Sequence, residues 1–226
     1  MKRFWRTVEV AERGVRLDGK PVHTPGRAPL VLPSAALAEA VAAEWAGVGE
    51  TLDPRAMPLT GLANAAIDRV APDPATFAAG LAVYGESDLL YYRAEGPAEL
   101  VARQRAAWDP MLDWARGAFG VDFVVTTGVM HRAQPAETVA RLAEALGAHP
   151  PFALAALSPI VTITGTLVGA LALAHRAAGA EQLWLAATID EEWQAEQWGD
   201  DDLALQARAG RRRDYETAVR FLALLG

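Results

Sequence analysis

The sequence predicts an α+β protein in two parts: a small β-containing N-terminal domain over residues 1–73 and a larger, mostly helical C-terminal domain over residues 74–226. Three observations carry this. Two early runs, 3–10 and 14–22, alternate apolar and polar side chains, and the second contains Asp18-Gly19, the pattern of a half-buried hairpin. Beyond Pro72-Asp73-Pro74 the segments become long, Ala-rich and helical, separated by Gly, Pro and Asp. Finally, 226 residues with 52% hydrophobic and 22% charged side chains describe an ordinary globular chain, able to bury roughly 70% of its unfolded surface without staples.

Taken in order, Phe4, Arg6, Val8 and Val10 alternate with Trp5, Thr7 and Glu9, which predicts a first strand. The run Gly14 to Val22 predicts a second strand that turns at Asp18-Gly19. Pro25 and Gly26 interrupt, and Leu30-Val31-Leu32 reads as another short strand. Ser34 is placed to cap a helix over 35–45, where Leu37, Val41 and Trp45 recur one turn apart; this stripe makes Trp45 a structural residue. Gly49, Pro54 and Pro58 mark a loop before a helix over about 59–70. Further helices are expected over about 75–85, 97–118, 135–146, two within 152–178, then 180–198 and 201–224.

Composition excludes several functions. Without cysteine there is no disulfide, thiolate metal site or cysteine nucleophile. A net charge of −7 and a pI near 5.1 argue against nucleic acid, whose binding needs clustered cations. The basic start, Met1 to Arg6, runs into Glu9 and Glu12 rather than an apolar core, so no secretory signal is expected. The run 152–174 has no charged residue and is long enough to span a bilayer. Pro159 breaks it, and three Thr and two Gly interrupt it, which predicts two buried helices and no stable membrane insertion.

Few residues offer chemistry. Serine occurs only at 34, 87 and 158, and Gly85-Glu86-Ser87-Asp88-Leu89 lacks the second glycine of a nucleophile elbow; Ser87-Asp88 reads better as a cap or turn. The histidines 23, 131, 149 and 175 lie far apart with no ligand spacing, and no phosphate-cradling glycine loop is present. No cofactor or metal is therefore expected. Carboxylates crowd the stretch Asp190, Glu191, Glu192, Glu196, Asp200, Asp201 and Asp202, leaving an enzyme that uses the Asp190–Glu196 cluster as the alternative to a binding protein. On a helical wheel Trp184, Ala187, Ala195 and Trp198 form one stripe around Glu191, and Leu185, Ile189 and Trp193 a second, which makes Trp198 structural. Asp190, Gln194 and Gln197 share the remaining polar face, free for a partner. Glu191 between tryptophans calls for an arginine, with Arg93 or Arg103 as candidates.

The segment Glu191-Glu192-Trp193-Gln194-Ala195-Glu196-Gln197-Trp198-Gly199 resembles the Atp-twelve family of ATP synthase assembly chaperones. Other matching pieces follow in order: Lys2-Arg3-Phe4-Trp5, Leu17 to Pro25, Leu32-Pro33-Ser34, Glu44-Trp45, Met57-Pro58-Leu59-Thr60, Asp88 to Arg93, and Gln104 to Pro110. The likeness covers nearly the whole chain; Tyr91 stands where cysteine is common, and Trp193 where mitochondrial relatives often carry Tyr. It implies a non-enzymatic, ATP-independent chaperone of the bacterial cytoplasm that binds the unassembled α subunit of the catalytic head until the β subunit replaces it; the free protein is expected to be a monomer. It also implies that Asp190 holds the family's important acidic position and that Trp45 holds an important tryptophan. Together with Gln194 and Gln197 of the polar face, and with Glu191 and Glu196 between them, Asp190 is expected to form the partner-binding surface.

Overall fold

The computed structural model describes residues 2–199 and 201–226. The chain forms two compact units, one from Met1–Pro74, Pro150–Leu157 and Asp214–Gly226, the other from Ala75–His149 and Ser158–Arg213.

In the first unit, β1 (Val8–Ala11) pairs antiparallel with β2 (Gly14–Leu17), Val10 opposite Val15, and β2 pairs with β3 (Lys20–Pro21). Both turns are left-handed pairs, Glu12-Arg13 (φ 53° and 61°) and Asp18-Gly19 (φ 49° and 77°), whose twist suits antiparallel neighbours. The Asp18 carboxylate accepts from the Thr7 N–H at 2.8 Å and the Arg6 N–H at 3.0 Å, bonds that hold its carboxyl below the ordinary range.

The first strand is shorter than the alternation suggests. Trp5 leaves the pleat to enter the core, while the Arg3 guanidinium donates to the carbonyls of Val48 at 2.6 Å and Trp5 at 3.1 Å. Leu30-Val31-Leu32 is not a ladder strand either: Leu30 N–H reaches Val22 and Leu32 N–H reaches Arg13, but only isolated bridges form. Pro29 and Pro33 on either side remove the donors a longer ladder needs.

α1 (Ala35–Ala46) starts at the expected cap, with the Ser34 hydroxyl accepting from the Leu37 N–H at 3.1 Å. α2 (Pro58–Ala65) runs into one π-turn, Ala66–Val70. Its N-terminus has no cap of its own; Glu44 of α1 supplies one, accepting from the Leu59 and Thr60 N–H groups at 2.8 Å each and the Thr60 hydroxyl at 2.7 Å. A carboxylate suits that end of a helix. Val15, Leu37, Val41 and Leu59 form the core with Trp5, and Trp45 packs half-buried on it, 5.4 Å from the Trp5 ring. Ala156 and Phe221 complete this core from later in the chain, with Phe152 stacked on Phe221 at 6.3 Å. A short sheet and two helices enclose too little on their own, so the unit draws on residues well beyond 73.

The second unit is built on α3 (Pro74–Ala82), α4 (Ala98–Phe119), α5 (Ala136–Gly147), α6 (Pro151–Thr164) from Ser158 onward, α7 (Leu167–Ala174), α8 (Ala180–Trp198) and α9 (Asp202–Ala223) up to Arg213. The uncharged run does divide in two, though not at Pro159, which lies inside α6. Ile160 and Val161 just beyond it are fully buried, and their packing outweighs the ~3 kcal/mol a mid-helix proline costs. The break comes at Gly165, whose φ of 70° suits glycine, and Thr166 caps α7 by accepting from the Gly169 N–H at 2.9 Å. Among the described residues no helix is long and apolar enough to cross a membrane. Two strands escaped the sequence reading: β4 (Tyr92–Arg93) and β5 (Thr126–Thr127) pair in parallel, joined through α4.

Candidate functional site

α8 carries most of the residues singled out above. Its inner face is Leu183, Trp184, Ala186 and Thr188, and the buried Trp108 of α4 donates from Nε1 to the Ala186 carbonyl at 2.7 Å. Asp190 lies one turn beyond Ala186 and therefore also meets α4. It is half-buried and accepts from Gln104 Nε2 at 2.7 Å; Gln104, only 1% exposed, accepts in turn from the Ala94 N–H at 2.8 Å. This corrects the wheel, which left Asp190 on a free polar face.

Glu191 turns toward α9 rather than α4. Arg211 grips it with two hydrogen bonds, 2.9 and 2.5 Å, and Arg208 lies 3.8 Å away. Arg93 and Arg103, the expected partners, are engaged elsewhere. Arg93 pairs with Asp109 over the Trp108 ring, and burial lowers its pKa against the pull of Asp109. Arg103 donates to Glu196 at 2.8 and 2.9 Å and to Glu99 at 3.0 Å, with its guanidinium 4.8 Å from the Trp193 ring; these carboxylates raise its pKa. α4 thus presents Arg103 to the turn after Glu191, while Glu191 sits on the side that the following helix covers. Glu192 accepts from the Thr188 hydroxyl at 3.1 Å.

Four carboxylates in the acidic run therefore face four different partners. Acid–base chemistry needs groups that converge on one reacting atom, and this arrangement spreads them apart. Among the described residues, no group of three or more His, Asp and Glu could hold a metal; Asp200 lies outside those residues. Two of the histidines do meet despite their distance in sequence. The rings of His149 and His175 are 5.9 Å apart beside a cavity of about 480 Å³, and burial, then the neighbouring His175, holds His149 below the usual range.

Gln194, Glu196 and Gln197 are exposed. Trp198 is 79% exposed instead of packed with Trp184, and Leu203 at the start of α9 is 77% exposed. The wheel assumes one continuous buried stripe, whereas neighbours bury only the first half of α8. The outer half forms, with α9, an open cleft of about 360 Å³ edged by Glu191, Gln194, Trp198, Arg208 and Arg211. Arg208, Arg211 and Gln104 are the partners of these acids that the sequence does not pair with them; Gln104 opens one of the matching motifs, and the run Arg211-Arg212-Arg213 is the available signal for the arginine.

The quoted motifs are largely cross-links. Asp88 is fully buried, accepts from the Val168 N–H at 2.9 Å and the Leu90 N–H at 3.0 Å, and burial pushes its carboxyl up to about 6. Ser87-Asp88 is the turn and cap the sequence suggested, with Asp88 capping Leu89–Tyr91.

A family model described as ATP12 chaperone protein matches residues 2–116. The crystal structure of Atp12 from Paracoccus denitrificans superposes with a TM-score of 0.93 at 40% identity, covering 100% of this chain and 98% of that one. The Atu1473 protein of Agrobacterium tumefaciens superposes at 0.91 with 44% identity, covering 100% of this chain and 86% of that one. Matched by the family model over residues 2–116 and superposing over its whole length on an Atp12 of 40% identity, the chain belongs to the ATP12 chaperone family.

Proposed function

We propose that this protein is an assembly chaperone for the catalytic head of ATP synthase, acting in the bacterial cytoplasm as a monomer without catalysis or cofactor. It binds the unassembled α subunit and prevents its aggregation until the β subunit replaces it. Family membership and the motif resemblance supply the client. The observation that carries the reading is the outer half of α8 with the start of α9, where Trp198 and Leu203 stand exposed beside carboxylates that are each already anchored by a neighbour. Anchored charges around exposed apolar side chains suit recognition, since little ordering entropy is lost on binding. Asp190, Glu191, Gln194, Glu196 and Gln197 form this surface, with Asp190 held to α4 through Gln104.

The test is aggregation of purified α subunit on dilution from denaturant, followed by light scattering with and without an equimolar amount of this protein. Suppression that β subunit reverses is expected. Undiminished scattering, together with no α subunit in a pull-down from cells, would refute the proposal.

A further inference from the structure

β5 is an edge strand, with no strand paired to its outer side among the described residues. Its register with β4 places Thr126 and Gly128 on the paired side, the Gly128 N–H donating to the Arg93 carbonyl at 2.8 Å. On the same side one step earlier, the Gln134 side chain imitates a strand, donating to the Val124 carbonyl and accepting from its N–H at 2.9 Å each. Successive residues of a strand address opposite edges, so Val125 and Thr127 direct their N–H and C=O groups outward. Around this edge Val124 and Val125 are exposed, Val129 is 93% exposed and Met130 76%. Natural proteins usually blunt such an edge with charge or proline; here it carries valines.

The charge beside it is specific. A cavity of about 410 Å³ separates β5 from α4 and is lined by Arg93, Arg105, Arg116, Asp109 and Asp113. Asp109 is taken by Arg93 and Asp113 by Arg116 at 2.6 Å. Arg105, exposed in the same wall, has no carboxylate partner among the described residues.

We infer that the outer edge of β5 accepts an extended segment of the protein client as an added strand, with an acidic side chain of that segment paired to Arg105. Main-chain hydrogen bonds to Val125 and Thr127 supply affinity, and the flanking valines with Arg105 select alternating apolar and acidic side chains. This rests on the reading of the chain as a client-binding chaperone, and adds a second contact to it.

The experiment uses the full chain and a fluorescent peptide alternating valine and threonine about a central glutamate. Fluorescence anisotropy should show saturable binding, weaker by about tenfold for the peptide with central lysine and lost when alternate backbone nitrogens are methylated. Arg105→Glu should invert the preference between the two peptides. Thr127→Pro places a ring on the outer edge, where proline is tolerated, and should remove binding with an unchanged circular dichroism spectrum. If Thr127→Pro unfolds the chain, the charge inversion by Arg105→Glu decides alone. No binding, binding indifferent to both methylation and Arg105→Glu, or an edge occupied by a second copy, seen as a dimer in sedimentation, would overturn the inference. Capture of α subunit, measured in parallel, separates the two readings: capture without peptide binding sinks only the edge strand, and peptide binding without capture sinks only the identity of the client.

Discussion

Replacing Asp88 by Asn tests whether a buried carboxylate clamps the 88–91 turn to α7. Asp88 is 0% exposed and accepts N–H bonds from Val168 and Leu90 at 2.9 and 3.0 Å, yet desolvation still outweighs them and lifts its pKa from 3.8 to about 6. Between those values the folded protein keeps a proton that the unfolded chain releases. This contribution to stability is therefore fully present below pH 3.8 and is lost as pH rises through 6. At 1.36 kcal/mol per pH unit, the linkage relation makes the parent about 2 kcal/mol more stable relative to Asp88→Asn at pH 4.5 than at pH 7.5. At neutral pH the variant should still be the less stable, because its amide turns a donor toward one N–H, a loss of about 1–3 kcal/mol. Urea unfolding of both proteins at several pH values measures the difference directly, and the titration of every other group cancels. A difference flat across that range would show that Asp88 is hydrated or ordinary in its titration, and would refute the clamp.

Three further outcomes are expected. Glu44→Ala should cost about 1–3 kcal/mol by uncapping α2, and a double-mutant cycle with Thr60→Val should show coupling; additive losses in urea melts would contradict the cap. Trp45→Arg should destabilise by about 3–5 kcal/mol or prevent folding, and an unchanged melting temperature would place the ring in solvent. Asp190→Lys should fold but lose about 1–3 kcal/mol, since buried Gln104 forfeits its acceptor, while α-subunit capture weakens; Asp190→Asn, which keeps an acceptor, should recover the melting temperature but not the capture. Equal capture by all three proteins would remove Asp190 from the recognition surface.

Local signals were legible. Asp18-Gly19 specifies its turn through backbone preference alone, and Ser34 caps the residue three positions on. The long helices, including those on either side of Gly165, follow from apolar period and punctuation. What escaped depends on distant partners. Nothing in the neighbourhood of Glu191 indicates that Arg211, twenty positions later, answers it. A wheel gives the faces of α8 but not which of them a neighbour covers, so it sets Asp190 too far outward and Trp198 too far inward. β4 and β5, two residues each, are too short for any alternation to register. Pro159 shows the converse: a strong local signal overridden by the buried side chains that follow it.

The core of the first unit has a consequence for synthesis. Phe221 lies in one apolar cluster with Val15 and Leu37, and the Ser34 hydroxyl bonds to the Leu224 carbonyl across 190 positions. A nascent chain therefore shows its hairpin and first helix outside the ribosome long before Phe221 leaves the exit tunnel, with the apolar layer beneath them still open. Contacts of such long range form late, and incomplete cores of this kind are prone to misassembly. Until α9 is made, a member of a chaperone family carries an open apolar layer of its own, as much in need of cover as any subunit awaiting a partner.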